Sequence, residues 1–165
     1  MTLAELNACD QRQFVDAVGW VFEHSPWVAE RAWPNRPFAS VDALHDAMTR
    51  EMFTASSDDQ LALLCAHPDL GARARMSDAS TTEQVGAGLD SLTPLQYDRL
   101  RSLTSDYTRR FGFPFLYAVK GSTIDQILAA LDERIGVDPA VEFMEGLRQV
   151  SRIARFRLDG MVASV

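Results

Sequence analysis

Apolar residues recur at intervals of three and four along most of the 165-residue chain, which is the spacing that places side chains on one face of an α-helix. Helix starts are predicted at Thr2, which has Glu5 at capping-box spacing, and at Asp10, because short polar side chains cap helix N-termini. Later starts are predicted near Pro26, Ser40, Ser57, Ser80, Thr93, Ser122 and Asp138. The alternation typical of strands is missing. The pattern therefore predicts an all-α fold, a bundle of about eight helices in a single domain that spans residues 1–165.

The second half of the chain carries two further predictions. The helix that starts at Thr93-Pro94 should run to about Arg110, and its core candidates are Leu95, Leu100, Leu103 and Tyr107. Residues 68–80 and 111–121 are predicted to be loops. The second of them, FGFPFLYAVKG, is apolar and aromatic, so we expect an ordered loop or a short extended piece. Backbone polar groups beside aromatic walls would suit a flat heterocyclic ligand.

Charge and composition restrict the classes of partner that the protein is expected to bind. The net charge of -7 argues against nucleic acid or an anionic membrane, although local arginines could still bind an anionic small molecule. No apolar run approaches the ~20 residues of a membrane span, and the N-terminal stretch does not resemble a signal peptide. We therefore expect a cytoplasmic protein. His24, His45 and His67 lack metal-ligand spacing, so no metal site is predicted, and Cys9 and Cys65 are interpreted as reduced thiols.

Arg157 interrupts an apolar face of the last predicted helix. The members of this face, spaced three or four apart, are Phe143, Leu147, Val150, Ala154, Arg157 and Met161. A buried guanidinium needs an anionic partner. That partner is either a core carboxylate in a structural ion pair, or a substrate carboxylate or carbonyl group that the planar guanidinium binds. The periodicity leaves both alternatives open.

His67 continues the apolar face of Leu63 and Leu64, and Pro68 stops the helix directly after it. An imidazole titrates near neutrality, so it suits acid–base chemistry, but a buried structural histidine fits the pattern equally. Glu83 and Gln84 are expected in the first turn of a helix begun by Ser80. Two interpretations of Ser80 and Glu83 stay open: reciprocal caps, or a polar cluster at a helix start that binds a ligand.

Several segments, in this order, resemble the 2-oxo-4-hydroxy-4-carboxy-5-ureidoimidazoline (OHCU) decarboxylase family. The N-terminal region is similar to the family through Phe14, the run Glu23-His24-Ser25-Pro26-Trp27, and Arg36-Pro37-Phe38. The later motifs are His67-Pro68-Asp69-Leu70, Ser80 with Glu83-Gln84 and Ala87-Gly88-Leu89-Asp90, Phe111-Gly112-Phe113-Pro114-Phe115, and Arg152-Ile153-Ala154-Arg155-Phe156-Arg157-Leu158. The resemblance covers nearly the whole chain.

The resemblance implies an all-helical homodimer without a metal or organic cofactor, which decarboxylates OHCU to (S)-allantoin at the end of the route from urate. It implies catalytic roles for His67 and Glu83. It also implies that the substrate is bound by Pro68, Ser80, Gln84, Arg157, and the backbone of Phe115, Leu116, Tyr117, Ala118 and Val119. Two other readings stay open: a non-catalytic helical interaction module, and another enzyme of ureido compounds, such as an allantoin racemase or a ureidoglycolate-processing enzyme.

Overall fold

The computed structural model describes residues 1–71 and 78–162. Within these ranges the regular structure consists of nine α-helices and two short 3₁₀ turns, Gly19–Val21 and Trp33–Asn35, with no β-strand. The helices are α1 (Leu3–Ala8), α2 (Gln11–Val18), α3 (Trp27–Ala32), α4 (Val41–Thr54), α5 (Ser57–Cys65), α6 (Asp78–Gly86), α7 (Pro94–Phe111), α8 (Ile124–Arg134) and α9 (Pro139–Met161). The all-α prediction is confirmed. None of these helices combines the length and the apolar character that crossing a membrane requires.

The chain divides into two compact units, so the prediction that residues 1–165 form one domain stays a prediction. The first unit contains Met1–Ala66 together with the chain from Val150 onward, and the second contains His67–Gln149. In the first unit, α3 packs against α2 and α4. Its fully buried side chains include Phe14, Phe22, Leu44, Met48 and Met52. In the second unit, α7 packs against α8.

Reciprocal capping fixes several helix starts locally, as the sequence predicts. The side chain of Thr2 accepts a hydrogen bond from the Glu5 backbone N–H, and the Glu5 carboxylate accepts one from the Thr2 N–H. Asp10 and Thr93 begin α2 and α7 in the same way. The predicted start of α8 at Ser122 is wrong by one residue, because Thr123 makes the capping box there.

The start of α6 differs from the prediction. The described helix already includes Asp78, so Ser80 lies inside it rather than capping it, and the predicted loop over residues 68–80 is wrong for residues 78–80. Residues 72–77 of that loop lie outside the described residues. Thr82 Oγ1 donates to the Asp78 carbonyl at 2.9 Å, a bond that Ser and Thr make within helices. The spacing of Ser80 and Glu83 fits a helix interior as well as a capping box, so it could not distinguish the two.

One core prediction in α7 is also wrong. Leu95 is 80% exposed, whereas Leu100 and Tyr107 are buried and Leu103 is half-buried. Leu95 and Leu100 are five positions apart in the sequence, which corresponds to a rotation of about 140° around a helix. Leu95 therefore points away from the face that the other residues share.

Candidate functional site

His67 and the turn after it lie at the beginning of the second unit. α5 ends at Cys65, and His67 is buried, with 7% of its surface exposed. The next turn is held by Gln84 of α6: its Oε1 accepts from the Gly71 backbone N–H at 2.8 Å, and its Nε2 donates to the Asp69 carbonyl at 3.3 Å. The carboxamide of Gln84 thus binds the turn through both of its polar atoms.

The predicted site residues of α6 share one side of the helix. Ser80 and Gln84 are four residues apart and both buried, at 5% and 6% exposure. Glu83, three residues after Ser80, is half-buried. Side chains at these spacings are neighbours on a helix surface. The structure therefore brings Ser80, Glu83 and Gln84 together, although in the body of α6 and not at its start.

Two open cavities lie beside the 69–71 turn. One, of about 470 Å³, is lined by Gly71, Gln84 and Tyr97 among others. The other, of about 700 Å³, lies along α7 and includes Asp69, whose carboxyl has a raised pKa because burial penalises its charged form. Gln84 is the single predicted site residue among the described residues that line these two cavities.

Residues 114–119 have no regular secondary structure and are mostly buried, so they form an ordered loop as the sequence predicts, although Phe111 of the predicted loop still belongs to α7. The rings of Phe115 and Tyr117 stack with centroids 6.0 Å apart, and both Phe113 and Phe115 pack edge-on against Tyr107 of α7. Side chains two residues apart point the same way in an extended chain. The aromatic residues of the segment therefore line one of its faces.

Polar side chains of α8 and α9 bind the backbone of this segment. Arg134 Nη1 donates to the Leu116 carbonyl at 2.7 Å, and its guanidinium lies 4.5 Å from the centroid of the Phe115 ring. Gln149 Oε1 accepts from the Ala118 N–H at 3.0 Å. Two peptide groups within the predicted substrate-binding residues are thus held by Arg134 and Gln149.

Arg134 is itself held by a buried carboxylate. Its Nε donates to Glu142 Oε1 at 2.8 Å, and its Nη2 lies 2.6 Å from the same oxygen. The Tyr107 hydroxyl also donates to Glu142 Oε1, at 2.5 Å. Burial, and then the hydrogen bond to the Glu142 carboxylate and its negative charge, raise the pKa of Tyr107 far above its usual value. The Tyr107 hydroxyl therefore keeps its proton and acts as a donor.

Arg157, in the first unit, forms the ion pair that was one of its two alternatives. Its Nη2 donates to Glu23 Oε2 at 2.9 Å, and the two side chains are 3% and 1% exposed. Its Nη1 donates to the carbonyl of Val21 at 3.2 Å. The buried guanidinium thus has an anionic partner, as its position on an apolar face predicts. Its binding of substrate stays a prediction.

Sequence reasoning missed four polar residues around these groups: the buried Glu23, Glu142 and Gln149, and the half-buried Arg134. One pattern could have revealed two of them. Glu142 and Gln149 are seven residues apart, so they lie on the same face of α9, and both are buried. Two polar residues at this spacing in an amphipathic helix predict a buried polar face whose side chains are hydrogen-bonded to other parts of the protein.

The described residues thus form an all-helical protein. Its buried polar side chains include the imidazole of His67 and the carboxamide of Gln84, and several of its polar side chains bind backbone groups. The family model described as OHCU decarboxylase matches residues 7–159. The chain is 50% identical over 158 residues to 2-oxo-4-hydroxy-4-carboxy-5-ureidoimidazoline decarboxylase of Haloferax volcanii, covering 96% of this chain and 94% of that protein. The chain belongs to the OHCU decarboxylase family.

Three further similarities, to one larger protein and to two solved structures, extend this comparison. It is 42% identical to the uric acid degradation bifunctional protein PucL of Bacillus subtilis, over 98% of this chain and 33% of that protein. A crystal structure of (S)-allantoin synthase matches with a TM-score of 0.79 and 32% identity, over 98% of this chain. The chain spans 54% of the length of the chain in that structure. A crystal structure of OHCU decarboxylase, at 20% identity and a TM-score of 0.73, supports the fold.

Proposed function

We propose that this protein decarboxylates OHCU to (S)-allantoin, the last step from urate to allantoin, without a metal or organic cofactor. The observation that carries the proposal is the 50% identity over 96% of the chain to a relative named for this reaction. The second-unit groups described above suit it, because His67, Ser80 and Gln84 are buried polar residues. We further propose that the protein is a cytoplasmic homodimer.

The chemistry needs no external electron sink. OHCU carries its carboxylate on a ring carbon that also bears a hydroxyl group and adjoins a C=N bond. When the bond to the carboxylate breaks, CO2 leaves and its electron pair forms a C=C bond to the former C=N carbon, while the C=N π electrons pass to the nitrogen, which takes up a proton. The product is an enol. A proton delivered to one face of the former C=N carbon, with loss of the hydroxyl proton as C–OH becomes C=O, then yields (S)-allantoin. The protein has to orient the carboxylate, stabilise developing charge and control the side of protonation.

The side chains divide these tasks in our proposal. His67 binds the hydroxyl and carboxylate region and handles the hydroxyl proton, while Glu83 hydrogen-bonds ring or ureido nitrogens and takes part in reprotonation. Arg157 binds ring or ureido oxygens, and its ion pair with Glu23 orients its guanidinium. The remaining substrate contacts are assigned to Pro68, Ser80, Gln84, and the backbone of Phe115, Leu116, Tyr117, Ala118 and Val119.

The test of the reaction is stereochemical. The protein is mixed with freshly generated OHCU, and the circular dichroism of (S)-allantoin is followed against the spontaneous decay. We expect (S)-allantoin to form faster than the spontaneous decay and without racemic product. A rate no faster than the spontaneous one contradicts the proposal, and interconversion of allantoin enantiomers without OHCU would favour a racemase instead.

The test of the site is His67→Ala. We expect kcat to fall by about 100-fold or more, the usual contribution of a positioned acid–base group, with an unchanged helical spectrum. The matched control is His45→Gln, because His45 Nε2 lies 2.9 Å from the Ser151 carbonyl and a glutamine can still donate there. Near-normal turnover in His67→Ala would remove this residue from the mechanism.

A further inference from the structure

We propose that Arg134 and Gln149 are positioning residues of the reaction: they bind one edge of residues 115–119, so that the other edge of this segment faces the substrate. The inference rests on the proposed function. It concerns two side chains outside the predicted site, which act on substrate only through the backbone that they hold.

The alternation of backbone groups along an extended chain carries the argument. In such a chain, the N–H and C=O of one residue point to the same edge, and those of the next residue point to the opposite edge. Leu116 gives its C=O to Arg134 and Ala118 gives its N–H to Gln149. The stacked rings of Phe115 and Tyr117 put alternate residues on the same side, as in an extended chain. Leu116 and Ala118 therefore turn these two groups to one edge, which Arg134 and Gln149 hold at two points.

The backbone groups of the odd-numbered residues are expected along the opposite edge of the segment. By this alternation, the backbone N–H and C=O of Phe115 and Tyr117, and the N–H of Val119, are expected at that edge. The C=O of Val119 accepts from Ser122 N–H at 3.0 Å, which closes the segment with a turn. Alternating donors and acceptors of this kind match the ring and ureido amides of OHCU, in the way that an exposed strand edge binds an extended peptide.

Two buried side chains of α9 hold the segment, Gln149 directly and Glu142 through Arg134, and both lie on one face of this helix. Glu142, which holds Arg134, and Gln149 are both buried, at 1% and 6% exposure, and are two helical turns apart. Gln149 Nε2 in turn donates to Glu145 Oε1 at 2.8 Å. A buried carboxylate and carboxamide cost more to bury than apolar side chains of similar size. The proposal explains why both are present: Gln149 binds the segment directly, and Glu142 holds Arg134, which binds it.

The experiment measures KM and kcat for OHCU in Gln149→Met, in the double exchange Glu145→Gln with Gln149→Glu, and in the control Arg148→Met. Methionine keeps the size of Gln149 but cannot accept the Ala118 N–H. We expect KM to rise about tenfold, as for one lost hydrogen bond of a binding group, with a smaller change in kcat. Arg148 is exposed, and its Nη1 donates to Glu145 Oε2 at 3.4 Å. Arg148→Met therefore disturbs Glu145 but leaves the Gln149 acceptor for Ala118 in place, and it should keep the wild-type KM.

The double exchange separates positioning from stability. It moves the carboxylate next to the Ala118 N–H and the carboxamide to position 145, so both hydrogen bonds can form again. The carboxylate is then more deeply buried, and we expect a lower melting temperature than in the wild type. We nevertheless expect KM within about twofold of wild type, because the acceptor for Ala118 is present. A purely structural role would lower stability and active fraction without moving KM, since KM does not depend on the amount of folded enzyme.

The outcomes are distinct. A wild-type chain that does not act on OHCU contradicts the proposed function itself. An active wild type, together with a Gln149→Met variant whose KM is unchanged, overturns the positioning role alone. The role is also overturned when the double exchange has the same raised KM as Gln149→Met. Raised KM in Gln149→Met and its recovery in the double exchange support the role.

Discussion

Two buried arginine–glutamate pairs, one in each unit, differ in what else the guanidinium contacts. Arg134 shares its carboxylate, Glu142, with the hydroxyl of Tyr107, and binds the backbone of the 115–119 segment. Arg157 binds Glu23 and the carbonyls of Trp20 and Val21 in the 3₁₀ turn Gly19–Val21. Both pairs are nearly closed to solvent, with side chains 12% and 1% exposed in the second unit and 3% and 1% in the first.

Both pairs are largely buried, so burial alone does not indicate whether an arginine has a structural or a functional role. A buried pair contributes little net stability relative to apolar residues, but losing one partner leaves a charge without compensation. The partners of each arginine then decide the consequence. Arg134 binds one carboxylate and one backbone carbonyl, that of Leu116. Arg157 binds one carboxylate and two backbone carbonyls, which remain as acceptors when the carboxylate is removed. Substitutions in the two pairs should therefore differ in size.

The largest effect is expected for Glu142→Gln. It leaves Arg134 buried without its carboxylate and weakens the acceptor of Tyr107, so the free energy of unfolding should fall by about 3–5 kcal/mol. Urea denaturation measures the loss. Glu133→Gln, the same change at an exposed position beside Arg134, is the control. A loss below about 1 kcal/mol would show that stability does not depend strongly on the Arg134–Glu142 pair.

A smaller effect is expected for Glu23→Gln. Arg157 keeps the carbonyls of Val21 and Trp20 as acceptors, so the loss should be about 2–3 kcal/mol, the value of a charge-assisted hydrogen bond. If Arg157 binds substrate, kcat/KM should also fall by more than the loss of folded protein explains. Denaturation and steady-state assays on one preparation compare the two. Unaltered kcat/KM would favour a purely structural Arg157.

Tyr107→Phe should have a still smaller effect, of about 1–2 kcal/mol, because it removes one donor to Glu142 and leaves Arg134 in place. The raised pKa of Tyr107 adds a pH dependence. The folded protein retains the phenolic proton at a pH where the unfolded chain, with a pKa of about 10, has lost it. The wild type should therefore lose stability as the pH rises above 10, and Tyr107→Phe should lose less. Parallel pH profiles for the two proteins would contradict this.

The smallest effect is expected for Arg155→Ala. Arg155 pairs with Asp42 and Asp159, which are 70% and 46% exposed, and their hydrogen bonds raise its pKa. Pairs open to water contribute little, so the loss should be below about 1 kcal/mol and should shrink further in salt. A loss as large as that of Glu23→Gln would show that exposure is the wrong criterion for ranking these pairs.

The same contrast explains what the sequence could predict. Arg157 was identifiable because it interrupts an apolar stripe of a single helix, which is a local pattern. Arg134 lies in the last turn of α8, where a cation is favoured by the helix dipole and needs no buried partner. Its pairing with Glu142 depends on how α8 and α9 pack, and no local pattern reports it.

Helix ends show the same division between local and non-local information. Thr2, Asp10 and Thr93 carry their capping partners three residues away, and these starts were predicted correctly. Ser80 has the same spacing to Glu83 but lies within α6, because the residues before it already belong to the helix. The prediction that Leu95 lies in the core was wrong for a similar reason, since its exposure depends on which face of α7 packs against α8. The resemblance to a family supplied the site residues, which periodicity alone left open.

The carboxamide of Gln84 has a consequence for motion in the second unit. It binds the N–H of Gly71 and the C=O of Asp69, so the turn after His67 and Pro68 cannot leave α6 without breaking both bonds. The Gly71 amide hydrogen should exchange with solvent slowly for a turn, at a rate set by local opening. Hydrogen exchange at this one amide would then report how often the turn after His67 separates from the helix that carries Glu83.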